Sequence, residues 1–334
     1  MVNIKEIAKM AGVSISSVSR VINKRAGVNI ENRKKIERII KETAYRPNLL
    51  ARELLQKKTN IIGIILPAIH SYYAERIAGL TDVCYANKYG VMIASSRENM
   101  KEEINNFNLF YEKQVDGIVF FVSSITPEHE KLLKDISKKI PVIMVGHEIT
   151  GLDIPAVIQD NYQGGRKAVE FLIENGHSKI GIICGPTENF SAQQRFSAYL
   201  DVMKEHNLKP PKEYISQGTF TLPSGYIAMK EILEKSEEIP TAIFAINDMM
   251  AMGAVKAILE KGYRVPGDIS IVGFDNVVLA EYFNPALTTI HQNHYEIGKQ
   301  AGELLMEYLR NKEVPVKRLI LEQRLIERDS VRRI

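Results

Sequence analysis

The sequence predicts a small all-α head followed by a larger α/β core that contains two doubly wound parallel sheets. Three observations lead to this prediction. Apolar residues repeat with helical spacing in the first 46 residues, short apolar runs alternate with helical patterns from residue 61 onward, and those runs are continuously apolar. Strands that alternate with helices are typical of βαβ units, and continuously apolar strands are those that helices cover on both faces.

The first two predicted helices are short and are separated by a glycine. Residues 4–11 place apolar side chains at i, i+3, i+4 and i+7, which is one face of a helix, and Gly12 interrupts that pattern. Ser14 is the expected N-cap of a second helix at 15–23, because its hydroxyl can accept a hydrogen bond from a first-turn amide. Two short helices joined in this way predict a helix-turn-helix, whose second helix enters the major groove of DNA.

A third helix is predicted over residues 30–43, with Asn29 as its N-cap and Pro47 shortly after its end. Residues 48–55 form a further short helical pattern, and a polar linker follows at 56–60. Because so short a helix is marginal in isolation, the segment 47–59 is expected to be a hinge that becomes ordered only when another surface holds it.

The charge of the chain is concentrated at its N-terminal end. Residues 1–58 contain 14 Lys and Arg against five acidic residues, a net charge of +9, whereas the whole chain carries +4. The remaining residues are therefore mildly acidic. A basic head on an acidic body is typical of a protein that binds the DNA backbone at one end, and charge alone would equally fit a solvated basic surface.

Several other classes of protein are disfavoured. Cys84 and Cys184 are far apart and belong to no metal-spaced cluster, which favours a reducing cytoplasm without disulfide or metal. The sequence has no secretory signal and no apolar run of membrane-spanning length, so no membrane association is expected. It also lacks G-x-G-x-x-G, Walker A and G-x-S-x-G motifs, so neither an enzyme nor a cofactor is expected. A transport-type sugar-binding protein would need an export signal and would have no basic head.

The core pattern consists of eight predicted strands and eight predicted helices, which fit two lobes better than one. The strands are predicted at 61–66, 91–94, 117–122, 141–145, 156–158, 180–184, 242–246 and 269–274. The helices are predicted at 73–89, 101–113, 128–138, 162–175, 192–205, 224–234, 249–261 and 295–310. Ligands bind such sheets beyond the carboxyl ends of the strands, so polar residues that follow strands are the candidates for a site.

The motifs of the chain resemble those of the LacI/GalR family of bacterial transcription regulators. In the head these are IKEIA at 4–8, AGVS at 11–14, SVSRVIN at 17–23 and YRPN at 45–48. In the core they are VDGI at 115–118, NGH at 175–177, PTAIF at 240–244, NDMMA at 247–251, VGFD at 272–275 and PALTTI at 285–290. The resemblance covers essentially the whole chain, and within the family the core is most similar to the ribose and purine repressors.

This resemblance implies a domain organisation and a partner. The expected divisions are a DNA-binding head at 1–46, a hinge at 47–59, and a periplasmic-binding-protein-like core with lobes at 60–160 plus 292–322 and at 161–291 plus 323–334. The resemblance also implies a homodimer that binds a near-palindromic double-stranded operator, usually as a repressor. A dimer is favoured over a tetramer because no heptad tail follows the core.

The resemblance further implies which head and hinge residues contact DNA. Ile15, Ser16 and Arg20 are expected at base edges, and Arg20 has the planar fork that reads a guanine. Leu54 is expected to wedge into the minor groove, although Leu50, Leu54 and Leu55 packing on the core is the alternative. The remaining expected contacts are Ser14, Ser17, Asn23, Tyr45, Asn48 and Ala51. For Ser14, a helix N-cap is a further and compatible role.

An effector pocket is expected where polar residues follow strands. Carboxylates and a forked guanidinium suit vicinal hydroxyls, and aromatic faces suit a sugar or a base. The expected effector-binding residues are Tyr72, Asp160, Ser191, Arg195, Phe220, Asn247 and Asp275. The alternatives are a turn cap for Asp275 with Asn276, a surface ion pair for Arg195, and hydrogen-bonding roles for His70 and His147. Asp248 is expected to cap the helix that follows it.

The resemblance favours a sugar as the effector. The purine-repressor pattern has Arg and Thr where this chain has Asn189 and Ser191, which puts a purine in doubt. Residues 158–161 are more like the ribose regulator, so a neutral sugar, a pentose such as ribose above all, is expected as an inducer that acts allosterically through the hinge. A purine-base co-repressor and a regulator that depends on a phosphocarrier protein stay open as alternatives.

Overall fold

The computed structural model describes residues 2–43, 45, 58–69, 71–149, 151–312 and 318–334. The chain divides into two compact units, Met1–Thr59 and Asn60–Ile334. The predicted hinge helix, with Asn48, Ala51 and Leu54, lies outside the described residues, and so does His70.

Among its described residues, the first unit contains three helices, α1 (Ile4–Ala11), α2 (Ile15–Ile22) and α3 (Ile30–Glu42). Helix α1 ends at Gly12, whose φ of 67° is the left-handed conformation that glycine adopts without strain. The hydroxyl of Ser14 accepts the backbone N–H of Ser17 at 3.2 Å and caps α2. The predicted helix-turn-helix is confirmed.

The start of α1 has a cap that the apolar pattern did not predict. The side chain of Asn3 accepts from the N–H of Glu6 at 3.1 Å, and the Glu6 carboxylate accepts the Asn3 N–H at 3.1 Å. This reciprocal capping box fixes the helix start. One small apolar core holds the three helices together and contains Ile7, Ala8, Ala11, Val18, Val21 and Ile36.

The second unit is an α/β core. Its strands are β1 (Ile61–Leu66), β2 (Gly90–Ser95), β3 (Gly117–Phe121), β4 (Val142–Val145), β5 (Ala156–Gln159), β6 (Ile180–Cys184), β7 (Ile215–Gln217), β8 (Ala242–Ala245), β9 (Ser270–Asp275), β10 (Thr288–His291), β11 (Arg318–Leu321) and β12 (Arg324–Ile326). Its helices are α4 (Ser71–Ala86), α5 (Met100–Glu112), α6 (Pro127–Ile136), α7 (Asn161–Glu174), α8 (Phe190–Glu205), α9 (Leu222–Lys235), α10 (Asp248–Glu260), α11 (Val278–Tyr282) and α12 (His294–Asn311), with a short 3-10 turn at Lys212–Tyr214.

Within the described residues, the strands form two six-stranded sheets. The first has the order β11-β5-β4-β3-β1-β2 and is parallel throughout. The second has the order β12-β10-β9-β8-β6-β7 and is parallel except for β12, which runs antiparallel to β10. We refer to each sheet with its helices as the first and the second lobe. The predicted two-lobed α/β architecture is confirmed.

Four strands, β7, β10, β11 and β12, and the short helix α11 were not among the predicted elements. The strands have only three or four residues each, and three of them lie at sheet edges, where half of the side chains are exposed. β10 lies between β12 and β9 and is buried, but two of its four residues are threonines, so it does not form an apolar run in the sequence. Their pairing is decided by neighbours distant in sequence.

Helices α4 and α12 cross so closely that glycines are required at the contact. A methyl group on Gly298 would lie 1.8 Å from the carbonyl oxygen of Arg76, and one on Gly79 would lie 2.1 Å from the carbonyl oxygen of Tyr295. Backbone atoms on both helices are therefore in direct contact. This packing fixes the position of Arg76 relative to the beginning of α12.

Gly298→Ala is expected to lower the free energy of unfolding of the core by about 2 kcal/mol. The overpacking cost, at the upper end of about 1–3 kcal/mol, outweighs the gain of about 1 kcal/mol that alanine brings to a helix interior. Urea denaturation measures the change. Gly90→Ala is the matched control, because its methyl group would have no neighbour nearer than 3.9 Å. Equal stability of the two variants would contradict the packing argument.

Candidate functional site

Helix α2 presents a polar and exposed face. Ile15, Ser16 and Arg20 are exposed, with 45% of Ile15 accessible, whereas Val18 and Val21 on the opposite face are buried. The Arg20 guanidinium makes one long hydrogen bond, from Nη1 to the carbonyl oxygen of Gly27 at 3.5 Å. Its remaining donors are directed at no other described residue. The face therefore offers a forked cation and hydroxyls to a partner.

The other predicted DNA contacts of the head have roles inside the unit as well. The Ser14 hydroxyl lies 2.8 Å from that of Ser16 and 2.9 Å from that of Ser17. The side-chain amide of Asn23 donates to the carbonyl oxygen of Ser19 at 2.9 Å. Tyr45 is half-buried and packs against the core of the head. Capping by Ser14 leaves its hydroxyl exposed at the surface.

In the second unit, six polar residues meet between the two lobes, and we call them the inter-lobe cluster. Four of them lie on first-lobe helices or on the segment that leads from β10 into α12, and two lie on elements of the second lobe. They are Tyr72 and Arg76 on α4, Gln292 directly after β10, His294 at the start of α12, Arg195 on α8, and Asp275 at the end of β9.

Asp275 is the carboxylate of the cluster. It is 3% exposed, accepts from Nε2 of Gln292 at 2.6 Å, and lies 3.6 Å from Nη1 of Arg195. Burial raises its pKa to about 6, although Arg195 and Arg76 act in the opposite direction. Its φ is 108°, a conformation that residues with a Cβ rarely adopt, and Asn276 follows with a φ of 56°. Such backbone strain is often found at functional sites.

Arg195 is buried rather than part of a surface ion pair. Its Nε and Nη2 donate to Oδ1 of Asn161 at 3.0 and 2.7 Å, and Nη1 donates to the carbonyl oxygen of Ile246 at 2.6 Å. The guanidinium lies 3.6 Å from the ring centre of Phe274. Burial lowers the pKa of Arg195, and Asp275 opposes this effect. Its orientation is therefore fixed before any ligand binds.

Arg76 supplies a second buried guanidinium. Its Nε donates to Nδ1 of His294 at 3.1 Å, and its Nη2 donates to the hydroxyl of Tyr72 at 2.5 Å and to Oε1 of Gln292 at 3.3 Å. It also lies 4.4 Å from the ring centre of Tyr72. Burial, together with Arg76, lowers the pKa of His294 to about 2, so this imidazole is neutral.

Asn247, not Asp248, caps α10, so the predicted cap was wrong. The side-chain oxygen of Asn247 accepts the N–H of Met250 at 3.0 Å, and its Nδ2 donates to the carbonyl oxygen of Phe220 at 3.0 Å. Asp248 is fully buried instead and accepts from the hydroxyl of Thr289 at 2.6 Å. Burial and the nearby Asp275 hold the pKa of Asp248 well above its usual range.

At the end of β5, Asn161 rather than Asp160 reaches the cluster. Asp160 caps α7 by accepting the N–H of Gln163 at 3.0 Å. Asn161 is 1% exposed, accepts from Arg195, and donates to the hydroxyl of Ser191 at 3.3 Å. Ser191 therefore joins the site through Asn161.

The two lobes also meet outside this cluster. The ring of His147, between β4 and β5, stacks on Phe190 with 3.6 Å between ring centres. The N–H of Phe190 donates to the carbonyl oxygen of Ser123 at 3.2 Å. Asn189 caps α8 by accepting the N–H of Ala192 at 3.0 Å. Phe190 thus belongs to the lobe contact, and Asn189 holds a helix end.

Four functional residues were missed by sequence reasoning, namely Asn161, Arg76, Gln292 and His294. Gln292 and His294 follow β10, the strand that was not predicted. Arg76 lies inside a predicted helix, one turn after Tyr72, and that spacing was the available signal. Asn161 directly follows Asp160, which was the residue predicted at that strand end.

Asp275→Asn is expected to change how stability depends on pH. Since burial raises the pKa of Asp275 from 3.8 to about 6, the folded protein binds this proton more tightly than the unfolded chain between those values. Wild-type stability therefore falls as pH rises from about 4 to about 6, by roughly 3 kcal/mol from this carboxyl alone. The asparagine variant lacks that loss.

Urea denaturation at several pH values from about 4 to about 7 measures this difference. The free energy of unfolding of Asp275→Asn, relative to that of wild type, should increase as pH rises. Asp268→Asn is the control, because Arg264 lowers the pKa of Asp268 to about 2. Its smaller effect should have the opposite sign. A difference between Asp275→Asn and wild type that is constant over this range would contradict the raised pKa.

Among the described residues, no three His, Cys, Asp or Glu side chains are arranged to hold a metal ion. None of the helices described here is long and apolar enough to cross a membrane. The two cysteines, Cys84 and Cys184, are free thiols, and burial raises their pKa values to about 11 and about 12.

Comparison with known proteins places these features in context. Residues 3–48 match the family described as bacterial regulatory proteins, lacI family, and residues 169–331 match a periplasmic binding protein-like domain. The HTH-type transcriptional repressor PurR of Proteus mirabilis is 38% identical over 99% of this chain and 97% of that protein. PurR of Mannheimia succiniciproducens is 34% identical over 100% of both.

Solved structures agree over the same length. The lac repressor dimer bound to operator and the anti-inducer ONPF has a TM-score of 0.90 at 25% identity, covering 99% of both chains. The complex of the transcriptional regulator CelR with cellobiose has a TM-score of 0.74 at 26% identity, covering 99% of this chain and 100% of that one.

Proposed function

Because this chain belongs to the lacI family of bacterial regulatory proteins, we propose that its inter-lobe cluster binds a small sugar that controls operator binding. The chain is a ligand-responsive, DNA-binding repressor of that family, and its relatives are regulators rather than enzymes. The domain divisions proposed for it are a head at 1–46, a hinge at 47–59, and lobes at 60–160 plus 292–322 and at 161–291 plus 323–334.

The observation that carries the sugar proposal is the pairing of Arg195 with Asp275, 3.6 Å apart and both buried where strands of the second sheet end. A carboxylate accepts from two hydroxyls and a guanidinium donates to two, so the pair suits a vicinal diol. Asn247 follows Ile246, whose carbonyl oxygen Arg195 contacts, and donates to the carbonyl oxygen of Phe220. A few convergent polar groups among apolar walls are typical of a ligand site.

A pentose such as ribose is the favoured sugar. Asn189 is engaged as the cap of α8 and supplies no cation at the position where the purine-repressor pattern has arginine. A purine base is the second candidate, because full-length relatives at 34% and 38% identity carry the name PurR. The two candidate ligands differ in the protein groups that they need, because only a sugar has a vicinal diol for the Arg195–Asp275 pair to bind.

The head is proposed to read the operator through the exposed face of α2. Ile15, Ser16 and Arg20 are assigned to base edges, and the other head residues, Ser14, Ser17, Asn23 and Tyr45, to the backbone. Contacts by Asn48 and Ala51, and a minor-groove wedge by Leu54, stay predictions outside the described residues.

A homodimer is proposed because apolar side chains are exposed on two helices of the second lobe. Val278, Leu279 and Tyr282 on α11 are 65%, 58% and 77% exposed, and Ile227 on α9 is 65% exposed. Exposed apolar groups of this size are typical of subunit contacts. Sedimentation equilibrium should give a dimer mass, and Tyr282→Asp should shift the protein toward monomer.

A thermal-shift panel on the purified chain tests the effector class. The ligands are ribose, other pentoses, hexoses, hypoxanthine and guanine, each compared on wild type and Asp275→Ala. A ligand at 100 times its Kd stabilises the folded state by about 2.7 kcal/mol, a shift of a few degrees or more. A shift with a sugar that is absent in the variant supports the proposal. Shifts with purine bases alone would refute it.

A further inference from the structure

Arg76 is a buried cation without a carboxylate partner. Only 4% of the residue is exposed, and its hydrogen bonds to described residues all go to neutral groups, namely His294, Tyr72 and Gln292. Within the residues that the structure describes, no carboxylate oxygen lies within 4.0 Å of its guanidinium nitrogens. The two N–H groups on Nη1 make no hydrogen bond to any described residue.

The charges of the cluster do not balance. Two buried guanidiniums, Arg76 and Arg195, share one buried carboxylate, Asp275, so the net charge is +1 when Asp275 is ionised. Arg195 lies next to that carboxylate, whereas Arg76 reaches it only through the side chain of Gln292. Arg76 is therefore the group left without a counter-charge.

The surrounding titratable groups do not supply the missing charge. Burial raises the pKa values of Asp248 and Tyr73, which favours their neutral forms, and His294 is neutral because its pKa is lowered to about 2. Burial also lowers the pKa of His291. Glu98, which acts on Tyr73, is exposed to solvent and makes no ion pair with Arg76.

An unpaired buried charge is costly, and a partner that supplies the opposite charge recovers much of that cost. A guanidinium has a planar fork that matches the oxygens of a carboxylate or a phosphate, and such charge-assisted hydrogen bonds are stronger than neutral ones. The free Nη1 donors of Arg76 lie on the first-lobe side of the same cluster in which Arg195 and Asp275 form the second-lobe side.

We propose that the effector is an acidic sugar, whose carboxylate or phosphate pairs with Arg76 while its hydroxyls contact Asp275 and Arg195. This inference rests on the proposed sugar site and replaces the neutral sugar favoured by the sequence. Sequence reasoning missed the charge because Arg76 lies within a helical pattern and its burial depends on the contact of α4 with α12. The two arginines together set the charge of the ligand.

Isothermal titration calorimetry on the full chain tests the inference with matched ligands: ribose, ribonate and ribose 5-phosphate, and glucose, gluconate and glucose 6-phosphate. At least one acidic sugar should bind about 10- to 100-fold more tightly than its neutral counterpart. Comparison of the sugar acids with the sugar phosphates shows whether the site prefers a carboxylate or a phosphate. Arg76→Gln should lower the affinity for the acidic sugar more than that for its neutral counterpart, and so remove this advantage.

Arg166→Gln is the matched control, because Arg166 pairs with Glu170 and Glu205 on the surface of the second lobe. It should keep the full preference for the acid. Arg76→Lys retains the charge and should keep part of the preference. If Arg76→Gln does not fold, as judged by circular dichroism, the wild-type ligand series and Arg76→Lys decide the question.

The outcomes separate the two proposals. Neutral sugars that bind more tightly than both acidic forms would overturn the acidic ligand and leave the sugar site standing. Binding of purine bases but of no sugar would overturn both. An acidic sugar whose affinity is unchanged in a folded Arg76→Gln would also overturn the assignment of Arg76.

Discussion

Replacing Arg20 with alanine is expected to weaken binding to the cognate operator by about 10- to 100-fold, the cost of one lost bidentate base contact. Arg20 is exposed on α2, and its single intramolecular hydrogen bond, to Gly27, is long at 3.5 Å. The buried side of α2, with Val18 and Val21, is untouched. The head should therefore stay folded while the contact is lost.

Fluorescence anisotropy with an operator selected from a random duplex library measures this loss, and an unrelated duplex measures non-specific affinity. Lys35→Ala on the exposed surface of α3 is the control and should weaken both duplexes alike. An equal loss on both duplexes for Arg20→Ala would show that Arg20 contacts phosphate and not bases.

Replacing Asp275 with alanine is expected to abolish the response to the effector. The variant loses the carboxylate of the inter-lobe cluster and leaves Arg195 without its counter-charge. It also loses the acceptor for the hydroxyls of the ligand. A hydrogen bond to a charged group contributes about 1.5–3 kcal/mol, so the loss of two should raise the Kd for a sugar by more than about 100-fold.

Operator affinity without ligand should stay within about threefold of wild type, because Asp275 lies in the core unit and not in the head. Asp268→Ala, which removes a surface carboxylate paired with Arg264, is the control and should respond normally. A variant Asp275→Ala that binds the sugar with unchanged affinity would place the effector elsewhere.

Local chemistry explains why the head was predictable. The positions of Gly12 and Ser14, and the spacing of apolar residues around them, decide where α1 ends and α2 begins. The capping box of Asn3 and Glu6 is equally local, but it lies before the first apolar residue of the pattern. The site residues of the second lobe could also be predicted where polar residues follow long apolar strands, as at Asn247 and Asp275.

The rest of the site depends on contacts between residues distant in sequence. Gln292 and His294 reach the cluster only because β10, with two threonines, is a buried strand between β12 and β9. Arg76 is buried only because Gly298 allows α12 to touch its backbone. No pattern within one segment contains that information. For the same reason, the net charge of the cluster can be determined only from the three-dimensional structure.

A ligand bound in the inter-lobe cluster is proposed to control operator binding by the head. The direct test is operator affinity by fluorescence anisotropy, with and without a saturating sugar ligand, on wild type and Asp275→Ala. We expect the ligand to weaken wild-type operator binding by at least about 10-fold, a coupling of about 1.4 kcal/mol, and to leave the variant unchanged. A ligand that binds wild type by calorimetry yet leaves its operator affinity unaltered would show that the inter-lobe cluster does not control the head.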